Sequence, residues 1–82
     1  MATILFLGKL ADALGTGRLD QSLPAEAQNT TTLRNWLDAA HELNGLLLEP
    51  TVRVAINNDI VQDPHPLQDT DEIAFMPPVG GG

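Results

Sequence analysis

The sequence predicts an α+β protein in which one mixed β-sheet packs on a single main helix. Three observations indicate this class. The chain begins with a nearly continuous apolar segment, Ala2 to Leu7, which is typical of a central strand. Apolar residues then recur at helical spacing from Leu33 to Ala40. Alternating patterns return from Val52 to Ile56 and from Glu72 to Met76, and they predict later strands of the same sheet.

The first part of the chain predicts two strands joined by a turn region. Gly8 ends the first strand, and Lys9 to Leu14 is expected to form one helical turn at most. The turn residues Gly15 to Gly17 follow. Arg18 to Leu23 predicts a weaker second strand, which Pro24 closes because proline has no backbone N–H to donate.

The main helix is expected to begin at Thr30 to Thr32, which supply an N-cap, and to end near Glu42 or Leu43, before Asn44-Gly45. We expect Trp36 to anchor the core. The apolar stripe of this helix consists of Leu33, Trp36, Leu37 and Ala40.

The second half of the chain predicts the rest of the sheet. Asn57-Asn58 follows the Val52 to Ile56 strand and predicts a two-residue hairpin, since Asn tolerates positive φ. Asp59 to Gln62 is the short returning strand, and Glu72 to Met76 is the last. The first and last strands are both rich in apolar residues, so we expect them to lie parallel and adjacent. This order of elements predicts the β-grasp fold.

Composition excludes several functions. The 82 residues carry a formal net charge of −7 with four scattered basic residues, so binding to nucleic acid is not expected. The acidity fits solubility, which we rank slightly ahead, and it also fits steering towards a basic partner surface. No segment approaches the roughly 20 apolar residues that span a membrane. The chain has no cysteine, which excludes disulfides and thiolate metal sites. We expect a cytoplasmic protein.

No motif predicts self-contained catalysis, a metal site or a bound cofactor. His41 and His65 are far apart, and neither has a partner at metal-ligand spacing. The segment Asp69 to Glu72 lacks the ligands and the turn glycine of a calcium loop, so it predicts a solvated turn.

The predicted sheet has two apolar faces, but one helix can cover only one of them. The covered face is expected to hold Ile4, Phe6, Val52, Val54, Ile56, Ile73 and Phe75. Alternation places Leu5, Leu7, Ala55, Ala74 and Met76 on the other face, and the hairpin adds Ile60 by pairing it with Ala55. A second apolar face in so small a protein indicates a partner. Its predicted docking residues are Leu5, Leu7, Ile60 and Met76.

The chain is expected to divide into a domain, residues 1–76, and an extended C-terminal tail, residues 77–82. Two prolines cannot continue a strand, and the glycines can thread a narrow channel. Such a tail suits delivery of its terminal carboxylate into another protein's active site. An inert, disordered end is the alternative. The tail consists of Pro77, Pro78, Val79, Gly80, Gly81 and Gly82.

Three segments carry a resemblance to a known family: Val54 to Asn57, His65 to Leu67, and Asp71 to Gly82. They resemble the MoaD-type sulfur carriers, the ubiquitin-like small subunits of molybdopterin synthase. The resemblance covers essentially the whole chain, and its last dozen residues are the most specific part. Gly80 departs from the family, which more often has Ser or Thr there, but the terminal diglycine is intact.

The resemblance implies the chemistry of the tail. An E1-like enzyme would adenylate the Gly82 carboxylate with ATP, and a sulfur donor would displace AMP to leave a thiocarboxylate. Pro77 to Gly81 would act as the threading arm that enters the large synthase subunit, within a heterotetramer. The sulfur would pass to a pterin precursor in molybdenum cofactor biosynthesis. The catalytic side chains would belong to the partners, so whether the chain counts as an enzyme depends on the complex.

Three alternatives stay open. The chain could carry sulfur for another pathway, such as thiamin, cysteine or tRNA thiolation. It could be a ubiquitin-like modifier joined to lysines, or a plain β-grasp interaction domain with an inert tail. The chemistry of the tail separates the last alternative from the others, and the identity of the acceptor separates the first two from a molybdopterin synthase subunit.

Overall fold

A computed structural model describes residues 1–78 of the chain. It contains one five-stranded mixed sheet in the order β2-β1-β5-β3-β4, with the main helix packed across one face. The elements in chain order are β1 (Ala2–Phe6), α1 (Lys9–Leu14), β2 (Arg18–Gln21), α2 (Thr30–Ala40), a 3₁₀ helix (Leu46–Leu48), β3 (Arg53–Ile56), β4 (Asp59–Val61) and β5 (Glu72–Met76).

The pairing of β1 with β5 joins the two ends of the described chain and confirms the predicted parallel neighbours. Ile4 lies beside Ile73, and Phe6 lies beside Phe75. The other ladders, β1 with β2, β5 with β3 and β3 with β4, are antiparallel. Strands on either side of a parallel central pair, with one helix across them, form the predicted β-grasp fold.

The core lies between the sheet and α2. The rings of Phe6 and Phe75 stack with centroids 5.9 Å apart. All seven residues predicted for the covered face are buried, and each large side chain contributes roughly 1.5–3 kcal/mol by leaving water. The core consists of Ala2, Ile4, Phe6, Leu10, Ala27, Leu33, Leu37, Leu47, Val52, Val54, Ile56, Leu67, Ile73 and Phe75.

Both ends of α2 differ from the prediction. Asn29, not the threonine run, is the N-cap: its side chain accepts from the Thr32 amide, and Thr32 Oγ1 accepts from the Asn29 amide. The helix ends at Ala40, because the Asp38 carboxylate accepts from two amides of the following segment and turns the chain back. Ala40 is therefore exposed. Trp36 packs against the core but is only half-buried.

Three shorter elements also differ. Lys9–Leu14 forms a complete short helix, because Leu10 is fully buried beneath it. β2 ends at Gln21, opposite the first residue of β1, so no strand partner remains for Leu23. The Leu23 amide donates instead to the Asp69 carboxylate at 2.8 Å. β4 ends at Val61, one residue earlier than expected.

The hairpin between β3 and β4 is confirmed as predicted. Asn57 and Asn58 have φ of 50° and 74°, the two positive values of a type I′ turn. Ile60 lies opposite Ala55, which places it on the sheet face that α2 does not cover.

Candidate partner-docking face and tail exit

The face of the sheet that α2 leaves uncovered, which we call the open face, consists of three rows that cross the strands. The row nearest the end of β5 contains Leu7, Met76 and Arg53. The middle row contains Arg18, Leu5, Ala74, Ala55 and Ile60, and the far row contains Asp20, Thr3 and Glu72. The strand registers alone produce this arrangement, since side chains two residues apart share a face.

The four predicted docking residues all lie on the open face. Ile60 is 62% exposed and Leu7 is 44% exposed, whereas Leu5 and Met76 are half-buried. Ala55, in the middle of the face, is only 7% exposed. The structure thus places all four predicted residues on one face. Leu7 and Ile60 are its exposed side chains, and the less exposed Leu5, Ala55 and Met76 lie between them.

The tail leaves the domain beside Gly8. β5 ends at Met76, and Pro77 packs so closely on Gly8 that a Cβ there would lie 3.1 Å from Pro77 Cγ. Gly8 also has φ of +55°, where a side chain would strain the backbone. This glycine therefore allows the first tail residue to lie against the domain. The prediction for Val79 to Gly82 lies outside the described residues.

A shallow cleft of about 460 Å³ lies on the open face beside the tail exit. Its apolar lining includes Ile60, Met76, Pro77 and Pro78. Arg53 contributes a guanidinium to this mostly apolar lining. The remaining lining residues are Pro50 and Thr51.

Ion pairs hold two of the three arginines. Arg18 binds both oxygens of Asp20, and this hydrogen bonding raises the pKa of Arg18 and lowers the pKa of Asp20, helped by Thr3. Arg34 is buried, donates to the Leu47 carbonyl at 2.9 Å and has its Nε 3.1 Å from Asp63. Within residues 1–78, neither Arg53 nor Lys9 forms an ion pair.

The described part of the chain contains no cluster of His, Cys, Asp or Glu that could hold a metal ion. His65 Nδ1 lies 2.8 Å from the carbonyl oxygen of Pro66, the next residue. No helix in residues 1–78 has the length and apolar character to cross a bilayer.

Fold and site together define a class: a β-grasp protein with an open apolar sheet face and a C-terminal segment that leaves beside that face. The model of the ThiS family matches residues 4–82. The chain belongs to this family. It is 34% identical over 83 residues to the molybdopterin synthase sulfur carrier subunit of Escherichia coli K12, with both chains covered completely.

Solved structures agree on the fold. A putative molybdopterin converting factor subunit 1 from Pyrococcus furiosus superposes with a TM-score of 0.76 at 20% identity, covering 95% of this chain and 97% of that one. The small archaeal modifier protein 1 of Methanosarcina acetivorans gives 0.78 at 21% identity, covering 99% and 95%. A third match is a chain from the complex of subunits 1 and 2 of the molybdopterin-converting factor of Helicobacter pylori. Its TM-score is 0.64 at 23% identity, and the match covers 99% of this chain and 97% of that one.

Sequence reasoning missed two residues of this site. Gly8 was interpreted only as the end of a strand, although a glycine directly after an apolar strand is a signal for close approach of another segment. Arg53 was counted among scattered cations. Its position, two residues before Ala55 in an alternating strand, already placed it on the same face as Ile60 and Met76.

Proposed function

We propose that this chain is the sulfur carrier subunit of a molybdopterin synthase. The observation that carries the proposal is its 34% identity to the sulfur carrier subunit of Escherichia coli over the full length of both chains. The family match also runs through the terminal glycines to Gly82. The described residues support the same role, because they include an open apolar face beside the point where the tail begins.

The reacting group in this proposal is the carboxylate of Gly82. A carboxylate is a poor acyl donor, so it first attacks the α-phosphorus of ATP and releases pyrophosphate. The acyl-adenylate that results has AMP as a good leaving group. A donor that delivers sulfur at the oxidation level of hydrosulfide displaces AMP and leaves a thiocarboxylate. An E1-like adenylating enzyme supplies the catalytic groups, and ATP binds there rather than to this chain.

The open face is the proposed docking surface for the large synthase subunit and for the adenylating enzyme. Ile60 and Met76 line the same cleft as Pro77 and Pro78, where the tail leaves the domain, and Leu7 lies in the same row as Met76. A partner docked on this face would therefore lie where the tail begins. Pro77 to Gly81 would carry the thiocarboxylate into its active site, in a heterotetramer located in the cytoplasm, and the sulfur would pass to a pterin precursor.

The experiment is reconstitution of the sulfur transfer to the tail. We expect incubation with the adenylating enzyme, ATP and sodium sulfide to exchange one oxygen for sulfur in the C-terminal peptide, as measured by intact and peptide mass spectrometry. Deletion of Gly82 and addition of one residue after it should both abolish dithiolene formation by the synthase. Misplacement of a reacting group by about 1 Å can already reduce a rate a hundredfold.

The same assay separates the alternatives. Turnover at the normal rate by either tail variant would show that the tail is inert. A thiocarboxylate that forms normally but supports no dithiolene synthesis with the large subunit would instead assign the carrier to another sulfur acceptor. Attachment to lysines of other proteins would indicate a modifier.

A further inference from the structure

The charges of the open face change sign along the strands. The row nearest the tail exit contains Arg53 beside Met76, and Lys9 follows Gly8 at the same end. The far row contains Glu72, and it contains Asp20, which is paired with Arg18 of the middle row. The chain as a whole carries −7, so a cation that has no ion-pair partner among residues 1–78 is an exception on this face.

Arg53 differs from the other two arginines in its surroundings. Asp20 holds Arg18 in a bidentate pair, and Arg34 is buried against Asp63 and the Leu47 carbonyl. Arg53 is exposed and lines the cleft, and no residue among 1–78 pairs with it. Within the described part of the chain, its guanidinium is therefore left open to another molecule.

Docking on Ile60 and Met76 would remove water from this guanidinium. A charge that is desolvated without a partner is strongly unfavourable. The docked surface must therefore provide an acceptor, and the planar guanidinium is best matched by a carboxylate that accepts two parallel N–H bonds.

We propose that Arg53 is a specificity-determining residue of the open face, and that this face binds a partner surface with an apolar centre and a carboxylate opposite Arg53. The far row, with Glu72, faces basic groups of the same partner. This proposal rests on the proposed function, and the partner to which we assign it is the large synthase subunit.

The two opposite charges at the ends of the face fix the orientation of the partner. If the partner were rotated by half a turn on this face, its carboxylate would lie against Glu72 and its basic groups would lie against Arg53. Both contacts would then join like charges, which is unfavourable. Only one orientation satisfies both contacts, and in it the carboxylate lies next to Pro77. Arg53 thereby determines the side from which the tail enters the partner.

The test is titration calorimetry of the full chain with the purified large subunit. We expect Arg53→Met to weaken binding about tenfold or more, because the partner carboxylate loses its cation, and Arg53→Glu to weaken it further. The matched control is Asn35→Asp, on the exposed side of α2, which makes the net charge one unit more negative, as Arg53→Met does. It should change affinity less than about twofold. The dependence of affinity on NaCl should be shallower for Arg53→Met than for the natural chain.

A second variant distinguishes this inference from the docking face itself. Met76→Asp places a charge in the apolar centre and should abolish binding. If Met76→Asp fails to bind while Arg53→Met binds normally, the inference about Arg53 is wrong and the docking face stands. If both variants bind normally, the docking face is wrong.

Two further results would overturn the inference. If Arg53 binds the chain's own C-terminal carboxylate, the effect of Arg53→Met disappears in a chain whose C-terminus is amidated. If Arg53 binds a second copy of the chain, sedimentation of the chain alone shows a dimer that Arg53→Met dissociates. We expect a monomer, and an effect of Arg53→Met that persists after amidation.

Discussion

At the scale of single residues, Asp38 fixes the connection that follows the main helix. Its two carboxylate oxygens accept from the amides of Gly45 at 2.9 Å and Leu47 at 3.0 Å. Arg34 donates to the Leu47 carbonyl from the same helix. These three bonds hold Leu47 in the core, although its neighbour Leu48 is 46% exposed.

We predict that Asp38→Ala lowers the free energy of unfolding by about 3 kcal/mol, because it leaves two backbone N–H groups without their charged acceptor. Asp38→Asn keeps one acceptor oxygen and should cost less than the alanine variant. Urea unfolding followed by circular dichroism measures both. Asp12→Ala, at an exposed position on α1, is the control and should be near neutral. A cost for Asp38→Ala no larger than this control would contradict the role of Asp38.

At the scale of elements, the β3–β4 hairpin places Ile60 on the open face. Its two turn residues, Asn57 and Asn58, make different contacts. Both have positive φ. The Asn57 side chain in addition donates to Asp71 and accepts from the Glu72 amide, each at 3.0 Å, so it joins the hairpin to the start of β5. Within residues 1–78, the Asn58 side chain makes no hydrogen bond of this kind.

We predict that glycine has different effects on stability at these two positions. Asn58→Gly should be neutral or stabilise the fold by a few tenths of a kcal/mol, because Asn-Gly is the preferred pair of a type I′ turn. Asn57→Gly keeps the backbone conformation but loses both side-chain bonds, and it should cost about 1 kcal/mol. Each variant is the matched control of the other in chemical denaturation. Equal effects would show that only φ matters at this turn.

The sequence predicted these elements as far as local patterns determine them. Alternation in β3 and β5 and the Asn57-Asn58 turn give strand registers, so the covered face and the open face were both predicted correctly. The ends of α2 were not, because local polar contacts that the apolar pattern does not reveal determine both ends. Asn29 bonds to Thr32 at the start, and Asp38 bonds to the amides of the segment that follows the helix.

The site was predictable to the same extent. Apolar residues of the open face followed from alternation, which placed Leu5, Leu7, Ile60 and Met76 together. Arg53 was overlooked, because its meaning depends on which other cations are already paired. Only the three-dimensional structure shows that Arg18 forms an ion pair with Asp20 and that Arg34 forms one with Asp63.

At the scale of the whole molecule, excess negative charge and a few specific carboxylates act on stability in opposite directions as pH changes. The net charge is −7 at pH 7 and the isoelectric point is about 4.3, so self-repulsion decreases on acidification. Hydrogen bonds lower the pKa of two carboxyls in the folded state. The pKa of Asp69 is lowered mainly by the hydrogen bond from the Leu23 amide, and next by the bond from the amino group of Met1. The pKa of Asp20 is lowered mainly by the hydrogen bond from Arg18, and next by the bond from Thr3.

A group whose pKa is lowered by folding stabilises the folded state above its ordinary pKa, here 3.8, and that stabilisation is lost as pH falls through the lower folded value. We therefore predict that stability is greatest near about pH 5, where repulsion is reduced and both carboxylates are still ionised. Thermal unfolding by circular dichroism from neutral pH into the acid range measures the curve. Asp69→Asn keeps an acceptor for Leu23 but removes the titrating group, so its stability should decline less steeply below pH 4. Asp12→Asn removes one charge from an exposed position on α1 and should retain the steep decline. Identical acid slopes for the two variants would mean that overall charge, rather than the bonded carboxylate, governs acid unfolding.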